Sequence, residues 1–139
     1  MGSRRRGREL ALQMLYQHEL SGATVEGIAA SFDDLLHVPE MTRSFAVNLA
    51  RGVEERVNEI DAVLAGQADH WRIDRMAAVD RNILRIAMYE LMFLPETPVA
   101  VVIDEAVEVA KRFGSERSSQ FVNGVLDGYV HRPGDEAEP

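Results

Sequence analysis

The sequence predicts an all-α fold, a compact bundle of about seven helices in two helical halves. Three observations lead there. Apolar residues recur every three or four positions over long stretches; one segment near the middle is apolar almost all round; and the one β-branched run, Val99 to Ile103, belongs to a longer helical stripe.

The first helix is expected over residues 8–20, where Leu10, Ala11, Leu12, Met14, Leu15 and Leu20 oppose a polar ridge of Arg6, Glu9, Gln13 and Gln17. Ser21-Gly22 supplies a stop, and Thr24 an N-cap for a second helix carrying Ile28, Phe32, Leu35 and Leu36 on one face. Val38-Pro39 ends that helix, because the residue before proline is pushed out of the helical region. A long third helix spans about Glu40 to Gln67, with Phe45, Leu49, Val53, Val57, Ile60 and Leu64 on its inner stripe. Residues 69–74 lose the period and read as a turn between halves 1–68 and 69–132 of a single domain; 133–139 read as a polar tail.

From Asp74 to Phe93 apolar side chains surround the axis, which places this helix at the centre of the bundle. Leu94-Pro95-Glu96 ends it, and Thr97-Pro98 starts the next as N-cap and first-turn proline. Val99, Val102, Ile103, Ala106, Val109, Ala110 and Phe113 then hold a stripe over fifteen residues, too long for one short strand. Gly114 is expected to close this helix as a left-handed cap, and Ser115 to open the last, with Phe121, Val122, Val125, Leu126 and Tyr129 inward.

Composition narrows the chemistry. With 139 residues, 46% hydrophobic and 27% charged, the chain can bury one core unaided. It has no cysteine, which excludes disulfides, thiolate metal sites and thiol catalysis. No apolar run approaches a membrane span of ~20 residues, so a cytoplasmic protein with no membrane contact is expected. There is no phosphate-binding Gly-rich loop and no nucleophile elbow. His18, His37, His70 and His131 lack metal-ligand spacing, and adjacent acids such as Asp104-Glu105 point to different helix faces. A protein without catalytic residues, metal or cofactor is the expectation.

Charge is distributed unevenly. The net charge is −8, yet residues 1–8 contain Arg4, Arg5, Arg6 and Arg8 and no acid, leaving −12 (−8 less +4) on the remainder. Cations at a helix N-terminus oppose its dipole, and Arg4 and Arg8 repel at four-residue spacing. An Arg5–Glu9 pair returns only a few tenths of a kcal/mol. Helix stability does not explain the cluster, whereas a polyanion does: guanidinium forks bind phosphate in bidentate fashion. A small basic pole on an acidic body suits a single strand better than a long duplex.

The opening Arg4-Arg5-Arg6-Gly7-Arg8-Glu9-Leu10-Ala11-Leu12-Gln13-Met14-Leu15-Tyr16 resembles the start of the NusB family of bacterial transcription antitermination factors. Residues 79–91 (VDRNILRIAMYEL) look like that family's central helix, and 98–127, with Phe121-Val122-Asn123-Gly124-Val125-Leu126, like its closing signature. The resemblance implies a NusB-like helical domain and a non-catalytic RNA-binding adaptor. Such an adaptor binds single-stranded boxA RNA of ribosomal RNA leaders together with NusE, a small-subunit ribosomal protein. It supports read-through by RNA polymerase in the antitermination complex, and a homodimer is also compatible with the family.

On this resemblance the RNA-binding candidates are Arg4, Arg5, Arg6, Arg8, Tyr16, Lys111, Arg112, Phe113, Gln120, Phe121 and Asn123. Phe121 is a candidate for stacking a base. Phe113 and Phe121 also lie on the apolar stripes, so core is the competing assignment, and the weightier one for Phe113. Gly124, costly inside a helix, is easiest to justify by a helix or ligand approaching closely. For NusE the candidates are Asp80, Arg85 and Glu90. Asp104 and Gln120 depart from residues common in the family, which weakens roles carried over to them. The competing classes are a helical DNA-binding regulator, which lacks a basic recognition helix here, and a protein–protein adaptor whose arginines are incidental.

Overall fold

The computed structural model describes residues 3–67 and 73–131. Among the described residues six α-helices follow one another: α1 (Ser3–Ser21), α2 (Val25–Ser31), α3 (Glu40–Gln67), α4 (Ala78–Phe93), α5 (Val99–Phe113) and α6 (Ser118–Val130). Short 3₁₀ turns occupy Asp33–His37 and Ile73–Arg75, and no strand occurs among the described residues. Of the turn expected over 69–74, residues 69–72 lie outside the described residues and 73–74 begin the second 3₁₀ turn; the tail at 133–139 also lies outside them.

Helix α4 is the hub, packing against α1, α3, α5 and α6, as its all-round apolarity requires. Helix α1 lies mainly along α3, and α5 pairs with α6. One continuous core joins Leu10, Met14 and Leu15 of α1 to Leu49, Ile60 and Leu64 of α3, Leu84 and Met88 of α4, and Leu126 of α6. Helix α3 kinks at Arg56 (φ −114°, ψ 16°), where the guanidinium lies 4.8 Å from the Phe93 ring centre. No helix among the described residues is long and apolar enough to cross a membrane.

Several local expectations are corrected. Helix α1 begins at Ser3, so the arginine run is helical from its first member rather than an approach to a helix. The second helix expected to reach Val38 stops at Ser31, because Phe32 is extended (φ −88°, ψ 99°); Leu36 is thrown outward, 72% exposed. Thr24 does cap α2, its hydroxyl accepting from the Gly27 N–H at 3.0 Å. Pro98, not Thr97, is the N-cap of α5. Gly114 is extended (φ −93°, ψ −173°), not left-handed. Its reason is space: a Cβ there would lie 2.4 Å from the Ser118 side chain. Ser115 is not the N-cap of α6, a position held by Arg117; instead the Ser115 N–H donates to Ser118 Oγ at 2.8 Å.

Candidate nucleic-acid interface

The periodicity of α1 sorts its four arginines. Residues four apart share a face, and residues two apart lie about 200° round the axis. Arg4 and Arg8 therefore project together, onto Phe45 of α3, with guanidinium carbons 4.6 and 5.4 Å from the ring centre. Gly7 makes this approach possible, since a Cβ there would meet Phe45 Cδ2 at 2.6 Å. The aromatic face offsets the mutual repulsion of the two cations.

From there their fates diverge. Arg8 is 4% exposed and donates from Nε and Nη2 to both oxygens of Glu90 on α4, at 2.8 and 2.7 Å. Glu90 is 1% exposed. Both expected roles are corrected by this pair: Arg8 does not offer its fork to an RNA phosphate, and Glu90 presents no surface to NusE. Each neutralises the other inside the bundle, where an unpaired charge would be costly.

The remaining arginines stay at the surface. Arg5 donates from Nε and Nη2 to Glu105 of α5 at 2.8 and 3.0 Å. Hydrogen bonding from Arg5, reinforced by its charge and that of Arg8, holds the Glu105 carboxyl below its ordinary range despite partial burial. The expected Arg5–Glu9 pair is replaced by another arrangement. Glu9, 5% exposed, accepts on Oε1 from Arg6 Nη1 at 3.2 Å and from Arg112 Nη1, at the end of α5, at 2.7 Å. Arg4 is exposed, and among the described residues it rests on the Phe45 ring alone.

Three clefts adjoin these groups. The first, about 480 Å³, is lined by Arg4, Arg5, Arg8 and Glu105 with Thr97, Pro98 and Val101. The second, about 360 Å³, holds Gln13, Tyr16, Gln17, Phe32, Val79 and Phe113. Arg112 lies over the Phe113 ring at 5.1 Å, so the Arg6–Glu9–Arg112 bridge leads directly into it. Gln13 Oε1 is buried there without a partner. The third cleft, about 490 Å³, is lined by Asp80, Arg75, Ser115, Arg117, Gln120 and Phe121. Val79 and Asp80 are successive residues of α4, about 100° apart around its axis, so the second and third clefts lie on neighbouring faces of that helix.

The structure thus brings Tyr16 and Phe113 together, and Asp80, Gln120 and Phe121 together. Phe113 and Phe121 are half-buried, packed on the core and open to a cleft. Lys111, paired with Glu108 at 3.3 Å, and Asn123 are exposed outside these three clefts. Gly124 is exposed with nothing within 4 Å of an added Cβ, so packing does not account for it. Arg85 of α4 donates to both oxygens of Asp61 at 2.9 and 2.8 Å, and is joined by Glu19, Asn82 and Arg81. Glu9 and Glu105 were not among the sequence candidates, although they orient the arginines: Arg112 lies 103 positions from Glu9, and Arg5 lies 100 from Glu105. Arg75 and Arg117 were also missed. Arg117 lies three positions before Gln120 in sequence, and its charge was the only signal.

Comparison with known proteins gives a consistent result. The NusB family model matches residues 5–131. The transcription antitermination protein NusB of Koribacter versatilis is 49% identical over 127 residues, covering 91% of this chain and 87% of that protein. Its counterpart in Geobacter sulfurreducens is 49% identical over 128 residues, covering 91% and 93%. Among solved structures, T. maritima NusB superposes with a TM-score of 0.83 at 37% identity, over 98% of this chain and 97% of that one. A chain from a crystal structure of antitermination factors NusB and NusE in complex with dsRNA superposes with a TM-score of 0.82 at 28% identity, over 93% and 96%.

Proposed function

The chain belongs to the NusB family, and on that premise we propose that it is a non-catalytic, cytoplasmic RNA-binding adaptor of transcription antitermination. It takes single-stranded boxA RNA of ribosomal RNA leaders together with NusE and supports read-through by RNA polymerase. The observation that carries this reading is a pair of surface guanidiniums, Arg6 and Arg112, beside a cleft walled by Tyr16 and Phe113, with Arg4 exposed on another face of α1. Cations beside aromatic faces are what an unpaired strand needs, with phosphates held by charge and bases by stacking. Arg5 contributes with its remaining Nη1, and Gln120 and Phe121 extend the surface past Asp80. Lys111 and Asn123 serve at its edge.

NusE is assigned to Asp80 and Arg85 on α4. Support for Arg85 comes from the acids that meet it, Asp61 and Glu19, which suit a basic ribosomal protein.

The test is a fluorescence titration of a short boxA RNA with the full chain, with and without NusE. Binding that tightens with NusE, and weakens for scrambled RNA and for duplexes of RNA and DNA, is expected. With two to three phosphates neutralised, log K should fall against log salt with a slope of about −1.5 to −2. Equal binding to all probes would reject the assignment. Phe121→Ala should weaken binding by about 1–3 kcal/mol if that ring stacks a base. Asp80→Lys should lower NusE capture and leave RNA binding intact; a matching loss of RNA binding would move Asp80 to the RNA side.

A further inference from the structure

Two guanidiniums from opposite ends of the chain meet on one carboxylate oxygen, and the way they are held differs from every other arginine pair of the arm. Arg6 Nη1 and Arg112 Nη1 both donate to Glu9 Oε1, so these nitrogens are no more than about 6 Å apart, the two bonds end to end. Glu9 lies beneath them, while the side chains of Arg6 and Arg112 are 37% and 62% exposed. Arg5 and Arg8 each give the Nε–Nη2 edge to an internal carboxylate. Arg6 and Arg112 each give a single Nη1 to Glu9, and among the described residues neither gives that edge to a partner. It is the edge that binds the two free oxygens of a phosphodiester side by side.

We propose that Glu9 is a positioning residue that sets Arg6 and Arg112 as a paired clamp for one backbone phosphate. Two guanidiniums and one carboxylate sum to +1, which a phosphodiester neutralises. Without the carboxylate the two cations repel and the exposed side chains separate. Arg112 also covers Phe113, the wall of the cleft that holds Tyr16, so a strand gripped here delivers its next base to an aromatic surface. The proposal rests on the RNA reading above and adds a sign that charge alone does not give: removing a negative charge weakens the binding of a polyanion.

The experiment titrates the boxA RNA against the full-length chain, Glu9→Gln, Arg112→Ala, Arg112→Lys and the double variant Glu9→Gln/Arg112→Ala across a salt series. Thermal melts run alongside. Glu9→Gln and Arg112→Ala should each bind about three- to tenfold more weakly, with a salt slope shallower by about 0.7. The double variant should be no more than about twofold weaker than Arg112→Ala, because Glu9 acts through Arg112. Arg112→Lys keeps the charge but not the fork and should also bind more weakly. Binding by Glu9→Gln as tight as the original, or tighter, would make Glu9 a mere counter-charge and overturn the clamp. Additive losses, or full binding by Arg112→Lys, would overturn it too. If Glu9→Gln melts far below the original chain, the exposed Arg112→Lys variant decides. Failure of the unaltered chain to bind the RNA would instead remove the RNA reading itself, and the clamp with it.

Discussion

Arg6 and Arg8 stand two positions apart on one helix and have opposite surroundings. Arg8 faces the bundle, 4% exposed, with its fork closed on a carboxylate that is 1% exposed. Arg6 faces out and gives up one N–H. A half-turn of helix separates a cation that holds the fold together from one free to meet a ligand. The cluster that looked unfavourable as a block of charge is two sets: an inner one, Arg8, matched by Glu90 of α4, and an outer one, Arg4, Arg5 and Arg6, resting on Phe45, Glu105 and Glu9.

The inner set is the place to break this contrast hardest. Arg8→Ala leaves Glu90 buried and unpaired, and the expected loss is about 3–5 kcal/mol in chemical denaturation. The double variant Arg8→Met/Glu90→Leu, which removes both charges, should recover most of it. If Arg8→Ala melts like the original chain, the pair is not the internal tie described. Next in size is the hinge between the sets. Gly7→Ala drives a methyl group into Phe45, and about 1–3 kcal/mol should be lost. Arg4 would also lose its aromatic seat, so RNA binding should weaken alongside. A neutral Gly7→Ala would show that Phe45 moves aside without consequence.

The outer set should respond in the reverse manner. Arg4→Ala and Arg6→Ala are expected to change stability by no more than about 0.5 kcal/mol. RNA affinity should nevertheless fall, with a shallower salt slope for each phosphate contact removed. Titration and thermal melting of the same samples separate the two effects; a melt as damaged as that of Arg8→Ala would merge the sets.

This contrast also marks how far the sequence could be read. Periodicity placed α3 from Glu40 to Gln67 and put α4 in the centre, because one repeating pattern over many residues outweighs local exceptions. It failed where a single backbone angle decides, at Phe32, or where a distant atom does, at Gly114 against Ser118. The site followed the same division. Arginine identity and the helix face it occupies are local facts, and so were legible. The acids that Arg8 and Arg5 meet are not local: Glu90 and Glu105 reach α1 only through the packing of α4 and α5. Near neighbours suggested Arg5 with Glu9, whereas the folded chain pairs Glu9 with Arg6 and Arg112.

A weaker pair at the far end of α1 gives the comparison its scale. Glu19, partly exposed, accepts from Arg81 and from Asn82, with Arg85 close by. The Arg81 hydrogen bonds are the main reason its carboxyl titrates below its ordinary value of 4.5, overcoming the opposing effect of burial; Asn82 and the charges of Arg81 and Arg85 add to them. The folded state therefore binds this proton less readily than the unfolded chain. The associated stability is present above about pH 4.5 and disappears as pH falls through the lowered value. Glu19→Gln should cost no more than about 1 kcal/mol at neutral pH, being a partly solvated contact. In urea titrations from pH 7 to pH 3 the gap between variant and original should close as the original's carboxylate takes up its proton. A gap of constant size over that range would mean that Glu19 acts through packing and hydrogen-bond shape, not charge, and that carboxylate–arginine attraction is decisive only where, as at Arg8, water is excluded.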